Sequence, residues 1–229
     1  MSASFLNAAQ TGGVAIGAEG SSRQARGTRD GAIFAAPWIQ ALILEGRCYM
    51  IQVGALTTPI TGGGDGTIVD LDQPEVNIGV PSGTTILPFR IDVQCESSAT
   101  EADNDIGEII IGFDRLATNT GGTFTDETAV NLRTDNPYSS LCDPNSAYTV
   151  NQTTEPTVIE ITRRQRQPIV DASATARDDT TIHLLYEPLY AMALVGPAQL
   201  LVYWGGIAAH TGFAQVFWAE LATTSRISG

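Results

Sequence analysis

From Leu87 to Glu96 apolar and polar side chains alternate. Leu87, Phe89, Ile91, Val93 and Cys95 fall on one side, and Pro88, Arg90, Asp92, Gln94 and Glu96 on the other. This alternation predicts a half-buried β-strand whose first set faces a core. A second strand is expected over 108–116 (EIIIGFDRL), with Ile109, Ile111 and Phe113 sharing a face, and the acidic, turn-rich SSATEADNDIG (97–107) joins the two. Further strands are expected at 47–53, 67–71, 157–162, 181–186, 198–204 and 213–221, with shorter alternating stretches at 76–80 and 148–151. Helix enters at two places. Residues 126–132 (DETAVNL), with Asp126 as N-cap, predict a helical turn or a short helix. WIQALILEG after Pro37 fits a short helix and a strand equally well.

Strands separated by turns rich in Gly, Pro, Asn and Thr, without strand–helix–strand alternation, exclude a parallel α/β sheet. The pattern predicts an all-β chain, an antiparallel β-sandwich or jelly roll, with long loops at 54–66 and 117–147. No fixed period recurs, which argues against propellers and solenoids. Residues 1–32 break from the pattern. TGGVAIGAEGSSRQARGTRDG (11–31) holds neither a period of 2 nor one of 3.6 and has no face of its own to bury. The chain therefore divides into an extended N-terminal arm, 1–32, and a β domain, 33–229.

Composition sharpens this. Hydrophobic residues make up 43% of the 229, enough for a substantial core, whereas charged residues are only 16%, against ~25% in typical soluble domains. There is no lysine; the 12 basic residues are all arginine and face 25 acidic ones, for a net charge of -13. A surface built to grip nucleic acid is basic, so direct nucleic-acid binding does not fit the body of the chain. No run of about 18 apolar residues is present, so no transmembrane helix is expected. MSASFLNAAQ has neither the basic nor the apolar region of a secretory leader. Folding in a reducing compartment is then the expectation, with Cys48, Cys95 and Cys142 as free thiols and Cys95 as a small buried hydrophobe.

Candidate chemistry is sparse. His183 alternates with Ile182 and Leu184 and reads as an outward or hydrogen-bonded strand residue, while His210 in GGIAAHTGF reads as a solvated loop residue. A cupin-type metal site needs several histidines and a carboxylate converging from neighbouring strands, and the HxH pair is missing. No GxSxG elbow is present. Asp70 with Asp72, Asp103 and Asp105 with Glu108, and Asp178 with Asp179 could each offer oxygens to calcium, although Asp, Asn and Gly also build turns for backbone reasons alone. TGGGDGT (61–67) lacks the Gly-Lys-Ser/Thr of a phosphate loop and reads as a hairpin tip. Asn151-Gln152-Thr153 fits an N-glycosylation pattern and is read as incidental. No cofactor site and no catalytic activity are expected. The densest positive spot is Arg163-Arg164-Gln165-Arg166, where alternation puts Arg164 and Arg166 on one face and Arg163 on the other. With Arg23, Arg26 and Arg29 of the arm, these arginines are candidates for an assembly interface with a partner's carboxylates.

An acidic antiparallel β domain with an arm, no catalytic constellation and the C-terminal strand pair AQLLVYWGG (198–206) and FAQVFWAEL (213–221) resembles the single jelly-roll capsid proteins of icosahedral viruses. The resemblance covers about residues 33–229. It implies a structural virion protein assembled in the host cytoplasm, with copies of itself and other virion proteins as partners. It also implies an arm that tucks beneath a neighbouring subunit, and exposed loops at 97–107 or 117–147. The chain departs from the pattern in charge. Many such arms are strongly basic and bind the genome, whereas three arginines favour a role in lattice contacts or decoration. The alternative is a phage decoration or fibre-type β-sandwich that binds carbohydrate or a receptor through an aromatic platform. Trp38, Trp204 and Trp218 are the tryptophans available for one, the last two being expected in the core. An enzyme on a jelly-roll scaffold is the third class.

Overall fold

The computed structural model describes residues 37–63, 69–97, 106–116, 121–135, 138–166, 181–206 and 210–222. The arm, with Arg23, Arg26 and Arg29, lies outside these residues. Within them the chain runs through α1 (Trp38–Leu44), β1 (Cys48–Val53), β2 (Ile60–Thr61), β3 (Val76–Val80), β4 (Thr84–Ser97), β5 (Gly107–Asp114) and β6 (Thr123–Asp126). It continues through β7 (Val130–Asn131), β8 (Asp143–Val150), β9 (Ile159–Arg166), β10 (Thr181–Tyr186), β11 (Leu194–Val195), β12 (Ala198–Gly206) and β13 (His210–Ala222).

Two antiparallel sheets form. The first has the order β10-β4-β13-β1-β7, with β2 and β11 attached, and the second the order β6-β8-β3-β12-β5-β9. The long strands pair in nested fashion. β1 joins β13, β3 joins β12, β4 joins β10, and β5 joins β9. First with last, second with second-last, and so inward: this is the wrapping of a jelly roll, and it makes the chain an antiparallel β-sandwich.

The alternation seen in the sequence builds the core between the sheets. β1 contributes Ile51 and Val53, β3 Val76 and Ile78, and β13 Ala214, Val216 and Trp218, all buried. Each such aliphatic or aromatic side chain removed from water contributes ~1.5–3 kcal/mol. β12 is buried along its whole length. Leu200, Val202 and Trp204 face the inter-sheet core, while Leu201 and Tyr203 pack on the other face with Ile110, beneath Val69, Leu71 and Val158. Burial on both faces is why residues 200–204 (LLVYW) read as an unbroken apolar run. Trp204 and Trp218 are core residues, as their strands predict.

The structure corrects the sequence reading at four places. Residues 126–132 form no helix; Asp126 ends β6, and Val130–Asn131 pair with Met50 and Tyr49 of β1. Residues 69–71 belong to no strand and cover the outer face of β12. The long loop expected over 117–147 carries β6, β7 and the start of β8. The fourth correction concerns the phase of β4. Phe217 pairs with Arg90 and Trp218 with Pro88, so Phe89 is an extra, bulged residue, and a bulge of this kind reverses which side chains face inward. Ile91, Val93 and Cys95 face the core as predicted, but Ile86, not Leu87 or Phe89, continues that face. Phe89 turns outward and stacks on Phe217 with ring centroids 6.1 Å apart. Ile91→Ala should therefore destabilise by ~2–5 kcal/mol through cavity formation, and Phe89→Ala by only ~1–2 kcal/mol from a half-buried aromatic pair. Urea unfolding of the two variants checks this, and equal losses would place Phe89 back in the core.

Of the two readings open for the segment after Pro37, helix is the outcome. Pro37 is extended (φ -51°, ψ 146°) and α1 begins after it. The helix stops at Gly46, whose φ of 71° is left-handed, a conformation that glycine adopts without the penalty of a Cβ.

Candidate functional site

None of the side chains of WIQALIL in α1 is fully buried, although the sequence is strongly apolar. The helix rests on the outer face of the first sheet, beside the bulge of β4. There Ile39, Phe89, Leu132, Pro188, Leu189 and Phe217 line an open groove of about 560 Å³, together with the charged Arg90 and Glu187. The floor is the Phe89–Phe217 pair, and the Arg90 guanidinium sits 5.9 Å from the Phe217 ring centre. Arg90 also donates to Asp92 at 3.2 Å, and Asp92 meets His183 Nε2 at 2.7 Å. His183 is thus exposed and hydrogen-bonded, as expected of an outward strand residue.

Large apolar side chains stand in solvent in the segments that line this groove and in β10, which precedes one of them. Leu189 is 82% exposed and Tyr190 85%, with Trp38, Leu44 and Leu185 also exposed. Single exposed apolar residues are ordinary; an exposed leucine in the lining of an apolar groove, followed in the chain by an exposed tyrosine, is the kind of feature that marks an interaction surface. Two signals for it are present in the sequence: a short helix whose only polar residue is Gln40, and Leu-Tyr directly after Glu-Pro. Neither marks a site on its own, because α1 and residues 187–190 are far apart in sequence and only the fold brings them together.

The arginine run sits elsewhere, on β9 at the edge of the second sheet. Arg163 lies across from Ile110 and Arg164 across from Ile109; these two isoleucines belong to the outer and inner clusters, so the two arginines alternate as predicted. Arg163 is engaged within its own chain, donating to Glu108 at 3.1 Å and pairing with Glu160. Burial raises the Glu108 carboxyl above its ordinary range while the Arg163 guanidinium pulls it back. Arg166 Nη1 donates to the Thr181 carbonyl at 2.8 Å and ties β9 to β10. Of the six arginines singled out in the sequence, Arg163 and Arg166 bond within their own chain, Arg164 is exposed, and the three of the arm lie outside the described residues.

His210 is a correction. It is 1% exposed and opens β13, where its ring lies over the cross-strand pair Gly107 and Gly206. A Cβ at Gly206 would come within 2.1 Å of the imidazole Cε1, and one at Gly107 within 2.2 Å of Nε2, so both glycines make room for the ring. Asp70 and Asp72 build a turn. Asp70 Oδ1 accepts the Asp72 N–H at 2.9 Å, and Asp72 Oδ2 accepts from Asn151 at 3.3 Å. Asp103, Asp105, Asp178 and Asp179 lie outside the described residues. Among the described residues no group of three or more His, Cys, Asp or Glu is placed to hold a metal ion, and no helix is long and apolar enough to cross a membrane.

The three cysteines are buried, free thiols. Burial pushes Cys48 and Cys95 up to about 12 and raises Cys142 as well, so none carries the thiolate that exchange chemistry needs at neutral pH. Among the described residues Glu75, 2% exposed, is the most deeply buried carboxylate. Desolvation pushes it up to about 8, although the N–H groups of Gly63 and Trp204 donate to it. Comparison of the chain with protein-family models and with curated proteins finds no match.

Proposed function

We propose that this chain is a structural virion protein, a shell subunit that self-assembles through its jelly roll and its N-terminal arm. The observation that carries the reading is the apolar groove on the outer face of the first sheet, with the exposed Leu189 in its lining. A surface so arranged is stable in water when another polypeptide covers it. Charge supports the same reading. Residues 1–36 hold Arg23, Arg26 and Arg29 against Glu19 and Asp30, so the whole excess of negative charge belongs to the rest of the chain. An arm of that balance finds carboxylates on any neighbouring copy. With no lysine in the chain, a lysine–asparagine crosslink between copies has no donor, and with buried thiols the lattice is held without covalent bonds.

Deleting residues 2–30 tests the arm. The β domain should keep its far-ultraviolet circular dichroism while assembly is lost or strongly weakened. A truncated chain that assembles like the full one would remove the arm from the account. The alternative, a decoration or fibre-type module that binds carbohydrate or a receptor, would draw on the exposed Trp38 and Tyr190, next in the chain to the lining residues Ile39 and Leu189, since Trp204 and Trp218 are buried. Specific glycan binding by a small, non-assembling oligomer would favour it.

A further inference from the structure

We infer that the groove on the first sheet is a two-fold contact, in which Leu189 and Tyr190 of one copy seat on the Phe89–Phe217 floor of a second copy. The inference rests on the assembly reading above and names the partner surface. One patch carries both halves of the contact. It holds a cleft of about 560 Å³ with an aromatic floor and Leu189 in its lining; Leu189 and Tyr190, the next residue in the chain, are both more than four-fifths exposed. The cleft is of a size that encloses small ligands, ample for a leucine and a tyrosine side chain.

Charge on the patch is self-complementary too. Arg90 and Glu187 both line the groove, so a two-fold axis brings Glu187 of each copy toward Arg90 of the other. In such an isologous contact, residue i meets j while j meets i. On a chain of net charge -13, most other pairings of its surface set acid against acid. A buried tyrosine contributes on the order of 150–250 Å², well short of the ~1,200 Å² of a stable isolated complex. The contact is therefore weak alone and gains strength when many copies close a shell.

The test uses the full-length chain in sedimentation velocity over a concentration series, with electron microscopy of the same samples. Leu189→Ser with Tyr190→Ser changes exposed positions, and circular dichroism checks that the fold is kept; association should fall by about tenfold or more. Arg90→Glu alone and Glu187→Arg alone should each weaken association, because each places like charges across the axis twice. An equimolar mixture of these two variants should restore it, because a mixed pair then has opposite charges at both ends. If the serine variant associates like the wild type, or if mixing restores nothing, the groove has another occupant, such as the chain's own N-terminal segment, and the inference is overturned while the shell reading stands. If the wild type stays monomeric throughout, the shell reading itself falls and takes this contact with it.

Discussion

Alanine at position 62 is expected to abolish cooperative folding, whereas alanine at position 63 is expected to be tolerated. A Cβ on Gly62 would stand 2.1 Å from the carbonyl oxygen of Trp204 and 2.9 Å from its carbonyl carbon. Both are main-chain atoms of β12, which is paired on one side with β3 and on the other with β5, so neither can withdraw. The indole gives no relief. Its Cδ1 would lie 2.7 Å from the new carbon, the ring is fully buried, and Nε1 donates to the Ile60 carbonyl at 3.3 Å. Moving β12 opens the core, at a cost above ~4 kcal/mol against a total stability of ~5–15 kcal/mol. A Cβ on Gly63 meets nothing nearer than 3.4 Å, and alanine keeps the N–H that donates to Glu75. Gly63→Ala should therefore unfold in urea within ~1 kcal/mol of the wild type, while Gly62→Ala shows no cooperative transition. Matching behaviour of the two would mean that residues 60–63 do not lie on Trp204.

Raising the pH from 5 to 8.5 is expected to destabilise the domain, with Glu75 as the largest single source. In the unfolded chain this carboxyl releases its proton near its ordinary 4.5, whereas burial holds the proton in the fold up to about 8. Between those values folding takes up a proton, so each step up in pH favours the unfolded chain. Stability from this group is greatest below 4.5, declines across the window and is level above about 8. At ~1.4 kcal/mol per pKa unit the loss is on the order of a few kcal/mol. Burial is the largest cause; against it the N–H groups of Gly63, Trp204 and Glu75 itself favour the carboxylate, and the charge of Asp70 opposes it. Glu75→Gln stays neutral at every pH, so its urea midpoint should vary much less over this range. An unchanged pH slope in Glu75→Gln would assign the effect to other carboxylates.

What the sequence made legible follows from the range of the interactions involved. Alternation is local, so Ile91, Val93 and Cys95, Trp204 and Trp218, and the all-β class could be read directly. The nested pairing of β1 with β13 and β3 with β12 joins residues more than a hundred positions apart, and no local pattern encodes it. The bulge at Phe89 escaped for a different reason. An inserted residue leaves the apolar-polar alternation looking intact while it reverses the face, so Leu87 and Phe89 appeared continuous with Ile91. His210 looked solvated because its neighbours Gly205, Gly206 and Gly212 read as turn formers. Gly206 and Gly107 instead supply the space that its ring fills. The arginine run was visible, but its partners Glu108 and Thr181 were not, and they turn Arg163 and Arg166 into internal ties. The groove needed the fold itself, since α1, the bulge and residues 187–190 meet only there.

The central claim, that this is a self-assembling shell subunit, is tested most directly by the mass of the purified full-length chain in solution. Mass photometry, with electron microscopy of the same sample, reads it without any substitution. The account predicts closed particles in the megadalton range, built from 24.2 kDa chains and dissociated by denaturant without a reducing agent. A chain that remains a monomer or a small trimer at every concentration and salt condition would contradict it.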